Sequence, residues 1–140
     1  CTPIVADWPA RVWHRLLYDH VHAVADHAPT AWVPAGVVAE ARHALSACNT
    51  GDWGVCAIGG WADGNSCTGA VDFLDLRTDP TSTTWRSLAP LITPRKLHGA
   101  AGLPDGRLFV FGGRIGDDAR AGPIAGAEAY DPTSNAWRDV

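Results

Sequence analysis

Two groups of residues could do chemistry. The first is His14, His20, His22 and His27, with Asp19 and Asp26 among them. On a strand, His20 and His22 project from one face, a spacing that can seat zinc or copper. The same residues suit the solvent-facing edge of a strand, and that is the reading carried forward, with no metal ligand assigned. The second group lies in two polar stretches, "WADGNS" at 61–66 and "RIGDDAR" at 114–120, each placed directly after a Gly-Gly doublet. Trp61, Asp63, Asn65, Arg114, Asp117 and Arg120 offer a ring face, carboxylates, an amide and guanidinium forks. Polar and placed at matching positions, they are the candidate contact residues. The chain has no Glu-flanked His pair, no Gly-x-Ser-x-Gly elbow and no phosphate loop. No catalytic residue and no cofactor is therefore assigned.

The elements that position these residues must come from a chain of 140 residues, 46% of them apolar and 19% charged, enough for one packed domain. The formal charge is −4 with no basic run, which argues against nucleic acid or an anionic membrane surface as partner. No apolar stretch is long enough to span a bilayer, and residues 1–20 lack the pattern of a secretion signal. Fifteen Gly and ten Pro predict many turns and short elements. Cys1, Cys48, Cys56 and Cys67 form no CxxC pair and no zinc spacing. Because Cys48 and Cys56 sit in apolar stretches, buried free thiols are expected.

"DPTSTTW" at 79–85 returns as "DPTSNAW" at 131–137. A shift of 53 also carries Asp26 to Asp79, Trp32 to Trp85, Arg42 to Arg95, and Gly59-Gly60 to Gly112-Gly113. So many rare types in register make a structural period. Each period reads as four strands. "HALSACN" and "HGAAGL" supply a small-residue inner strand, and "WGVCAIGG" and "RLFVFGG" a strand buried on both faces. "AVDFLDL" and "GAEAYD" supply a third strand, and "TTWRSLA" and "NAWRDV" a fourth, entered through Asp-Pro-Thr-Ser turns. Four strands per period predict a propeller blade. The stretch 9–26 departs from this: Trp13, Leu17, Val21 and Val24 share a helical face behind Pro9, predicting a short helix or irregular insert before a strand at 20–25.

The pattern resembles the kelch repeat: Arg95, His98, Gly112-Gly113, Tyr130-Asp131-Pro132 and Trp137 in the second full copy. The first full copy has Arg42, Gly59-Gly60, Asp79-Pro80 and Trp85, with Leu45 at the His station and Thr78 at the Tyr station. The resemblance implies an all-β fold, a partial β-propeller of four-stranded antiparallel blades, to which the pattern of 9–26 adds a short N-terminal helix or irregular insert. Its expected divisions are 1–41 (a partial blade), 42–94 and 95–140, a segment of a larger propeller whose remaining blades are its first partners. Trp32, Trp85 and Trp137 are expected as wedges between blades, with Arg42 and Arg95 bonding carbonyls of the next blade. Functionally it implies a scaffold for a protein partner in a cytoplasmic setting, such as a substrate adaptor for a ubiquitin ligase. The alternative is an enzyme on the same frame, a galactose-oxidase-like copper oxidase or a sialic-acid mutarotase.

Overall fold

The computed structural model describes residues 34–50, 54–62, 66–76, 82–116 and 122–140. Every regular element among them is a strand: β1 (Arg42–His43), β2 (Ser46–Thr50), β3 (Gly54–Ile58), β4 (Trp61–Ala62), β5 (Ser66–Cys67), β6 (Val71–Asp75), β7 (Trp85–Leu88), β8 (Gly99–Gly102), β9 (Leu108–Phe111), β10 (Ala127–Asp131) and β11 (Ala136–Asp139). The expected N-terminal helix, the histidine cluster and Trp32 lie outside the described residues.

Two four-stranded antiparallel sheets form, in the orders β2-β3-β6-β7 and β8-β9-β10-β11. Strand period puts Cys56, Ile58, Val71 and Phe73 on one face of the first sheet, and Leu108, Val110, Tyr130 and Trp137 on one face of the second. Those eight side chains, with Leu91, make a single core between the sheets. Complete burial of an Ile or Leu such as Ile58 or Leu108 is worth about 1.5–3 kcal/mol each. The inner strands β2 and β8 run close together, so close that a Cβ on Gly102 would collide with the Asn49 carbonyl. That is why both inner strands are written in small residues. The sheets are two successive blades of a partial propeller.

The Gly-Gly doublets end the second strand of each blade with positive φ, 59° and 114° at Gly59 and Gly60, 66° and 92° at Gly112 and Gly113. A Cβ on Gly60 would also come within 2.7 Å of the His43 carbonyl oxygen, so conformation and space both require glycine there. Strain recurs with the same period at Ala44 and Leu97, with φ of 53° and 55°. The Leu97 N–H donates to the Ala44 carbonyl at 2.9 Å, joining one blade's entry turn to the next.

Each repeated arginine lies in a buried ion pair. Arg42 meets Asp72 at 2.7 Å and Arg95 meets Glu128 at 2.7 Å. Arg95 also donates to the carbonyls of Thr93, Gly112 and Gly126, and Arg42 to that of Ala57. The side chains therefore brace their own blade, contrary to the expectation that they reach the next one.

The repeated tryptophans do cross between segments. The Trp137 indole N–H donates to the Ala89 carbonyl at 2.8 Å, and Asn135 Oδ1 accepts the Ala89 N–H at 3.0 Å. Asn135 Oδ1 accepts the Tyr130 hydroxyl at 2.9 Å as well. Both backbone groups of Ala89, where the first blade leaves β7, are thus held by the second. Trp85 repeats the bond, its indole N–H donating to the Ala35 carbonyl at 2.8 Å. Trp137 is buried and Trp85 half-buried. Register also revises one station. Tyr130 sits opposite Leu108 and Trp137, whereas in the first blade Leu74 sits opposite Val55 and Trp85. Leu74, rather than Thr78, therefore holds the tyrosine's place.

Candidate functional site

Beyond the doublets the chain turns away from the blades. Trp61 heads β4, which pairs with β1 and β5 in a small three-stranded sheet, order β1-β4-β5. At the matching station of the second blade, Arg114 and Lys96 exchange two backbone hydrogen bonds of 2.9 Å each. An open cleft of about 470 Å³ lies where these segments converge. Trp61, Ser66 and Cys67 come from the first blade, Thr93 and Pro94 from the link between blades, and Ile115 and Gly116 from the second.

The cleft has an apolar floor, and a cation is stacked on the ring that forms it. Lys96 places its ammonium 3.6 Å from the centre of the Trp61 ring, a contact in which the positive charge meets the ring's negative face. Trp61 is 7% exposed, so it forms a floor where the sequence suggested a protruding contact. Ile115, 51% exposed, stands at the rim. The Cys67 thiol donates to the Arg114 carbonyl at 3.4 Å, tying the two loops together. Arg114 is half-buried and held by its backbone beside the cleft. The structure thus brings Trp61 and Arg114 to one place; Asp63, Asn65, Asp117 and Arg120 lie outside the described residues.

Pocket residues Cys67, Pro94 and Ile115 were not singled out by sequence, nor was Lys96. Lys96 had a signal, since it follows the repeated Arg95 as His43 follows Arg42. The other three gain meaning only from the convergence of three segments far apart in the chain. Among the described residues no three His, Cys, Asp or Glu side chains gather as a metal site would need. A floor of ring and aliphatic carbon can receive a side chain, and among the described residues no nucleophile is aligned there with a base.

His98 lies beneath this face, 7% exposed, and neither ring nitrogen has a hydrogen-bond partner among the described residues. Burial, and secondarily the Arg95 charge, push its pKa down to about 4, against a smaller upward pull from Glu128. The ring is neutral; its Cε1 packs against Gly59, while the Cα and Cβ of His98 lie against Gly113.

Residues 95–140 match the family model of the kelch motif. That stretch, the second blade, is a kelch motif. Its similarity to Kelch-like protein 33 of Homo sapiens is 38% identity over 63 residues, 45% of this chain and 11% of that protein. An F-box/kelch-repeat protein of Arabidopsis thaliana is 35% identical over 65 residues, covering 46% of this chain and 16% of its own length. Kelch-like protein 7 of Rattus norvegicus is 35% identical over 77 residues, or 55% of this chain and 12% of the relative. The chain therefore spans a small fraction of the relatives it matches. Among solved structures, a fungal alcohol oxidase of the AA5 family in complex with copper superposes with a TM-score of 0.59 at 19% identity, covering 71% of this chain and 22% of the oxidase. At that identity the likeness is one of fold.

Proposed function

We propose that these kelch repeats present the cleft face to a protein partner, and that the chain serves as an interaction scaffold. Residues 42–94 and 95–140 act as successive blades in this reading, with 1–41 part of another. The observation that carries it is the cleft itself, built by three segments from two blades around Trp61 and Lys96. Interfaces concentrate their affinity in such desolvated aromatic pockets with polar rims. A finer reading makes the scaffold a substrate adaptor for a ubiquitin ligase. One similar protein joins an F-box to kelch repeats in its name, the combination an adaptor would use.

Proximity labelling with the protein and its Ile115→Asp variant tests the scaffold reading. Ile115 is exposed, so the change leaves folding intact while placing a carboxylate at the cleft rim. The expected result is loss of a defined set of neighbours, with retention of that set by Arg107→Ala. Arg107 belongs to the turn joining β8 to β9, at the strand ends remote from the doublets, where it pairs with Asp105. An identical set for wild type and Ile115→Asp would sink the assignment of this face.

A further inference from the structure

Cys48 and Cys56 stand directly opposite one another on β2 and β3. Both are free thiols. Residues facing each other across an antiparallel pair have Cα atoms about 4.5–5.5 Å apart, and a disulfide accepts about 4.4–6.8 Å. They also project from the same side of the sheet, here into the core between the blades, where Cys56 belongs to the packed cluster and Cys48 lies against it. The register alone puts the two thiols within the span a disulfide can close. Cys67, by contrast, is occupied at the cleft, bonded to Arg114.

We propose that Cys48 and Cys56 form a dithiol oxidation site, closed to a cross-strand disulfide by a two-electron oxidant of the peroxide class. Cys48 is half-buried and Cys56 wholly buried, which orders the steps. The Cys48 sulfur attacks hydrogen peroxide, the O–O bond breaks, and hydroxide leaves with the thiol proton as water. Cys48 is then a sulfenic acid. The Cys56 sulfur attacks it, the S–O bond breaks as the S–S bond forms, and a second water departs with the Cys56 proton. Two thiols have given up two electrons and two protons, and one peroxide has become two waters.

The same geometry makes the bond reversible. Opposite Cβ atoms lie about 4.5–5.5 Å apart in a sheet, while a disulfide draws them to about 3.5–4.5 Å, so closure strains the strands and favours reduction by an external thiol. Burial holds both thiols above their ordinary range, Cys56 to about 12, with Cys48 a secondary cause. The pair is therefore quiet until oxidant is in excess.

The test is peroxide titration of the folded protein, followed by alkylation of free thiols, chymotryptic digestion and mass spectrometry. Chymotrypsin cuts after Trp53 and Trp61, which separates Cys48, Cys56 and Cys67 onto different peptides. The expected product is a Cys48 peptide joined to a Cys56 peptide, lighter than their sum by two hydrogens and split by dithiothreitol. It should persist in Cys67→Ser and vanish in Cys48→Ser. Links from Cys48 to Cys67 or Cys1 would overturn the proposal. So would progression of Cys48 to sulfinic acid with Cys56 still alkylatable, or no link at doses that oxidise Cys67.

Discussion

The two blades share one plan and fill it differently. Where the second has His98, Tyr130 and Glu128, the first has Leu45, Leu74 and Asp72. The Glu128 carboxylate accepts from Arg95 and from the backbone N–H groups of Ile92 and Thr93, so it braces the link between blades as well as the arginine. Asp72, one carbon shorter, accepts from Arg42 and the Ser87 hydroxyl, both within its own blade. Outer faces differ too. The first blade's Ile58 and Phe73 are covered by the second blade, while the corresponding side of the second blade exposes Phe111 at 54%. Shape is conserved through glycines and backbone bonds; the polar groups are where the blades differ, Glu128 holding the link between blades and Asp72 bonding within its own.

Breaking the Arg95–Glu128 pair is the harshest way to separate the blades. Arg95→Leu strands a buried carboxylate and frees the carbonyls of Gly112 and Gly126. A loss of about 3–5 kcal/mol is expected in urea unfolding, the usual cost of leaving one buried charge alone. Arg95→Leu with Glu128→Leu should recover a good part of it, since an apolar pair needs no partner. If the double variant is as unstable as the single, the carboxylate's bonds to Ile92 and Thr93 carry the effect instead.

That carboxylate was illegible in the sequence for a definite reason. Asp72 follows its arginine by 30 residues and Glu128 by 33. The chain between second and third strands is longer in the second blade, 112–126 against 59–70, and the link from third to fourth is shorter, 132–135 against 76–84. The two differences nearly cancel, so the Asp-to-Trp clauses return almost in step while the strand between them has slipped. This is also why Thr78 was matched to Tyr130 and Leu74 overlooked. Glycine doublets, tryptophans and inner-strand small residues announce themselves because backbone sterics and indole size permit few substitutes. The cleft was only half legible, since Trp61 and Arg114 follow the doublets, whereas Pro94 and Ile115 mean nothing until the blades meet.

The tryptophans sharpen the comparison at a smaller scale. Trp137→Phe removes the donor to the Ala89 carbonyl and part of a buried ring, and about 2 kcal/mol of stability should go with them. Trp85→Phe removes the same type of bond from a half-buried position, for about 1 kcal/mol. Paired thermal melts would show the order. Equal losses would mean that the latch at Ala35 is as deeply set as the one at Ala89.

The smallest effect asks why one blade uses histidine where the other uses leucine. His98→Leu installs the first blade's own solution and removes two buried nitrogens without partners. About 1 kcal/mol of added stability is expected at neutral pH. The larger signature is in the pH dependence. With a folded pKa near 4, below its unfolded value of 6.5, the wild-type ring is protonated first in the unfolded chain as pH falls. Wild type should therefore lose stability between about pH 6.5 and 4, on the order of 3 kcal/mol in total. The leucine variant should lack that component, leaving the losses from carboxylates such as Asp131, whose folded pKa is lowered chiefly by the Thr133 N–H and which titrate at more acid pH. Parallel slopes for the two proteins across that window would show that His98 is not held neutral by the fold. A steeper slope in the variant would mean that the charged ring is welcomed by Glu128, reversing the assignment of burial as the dominant cause.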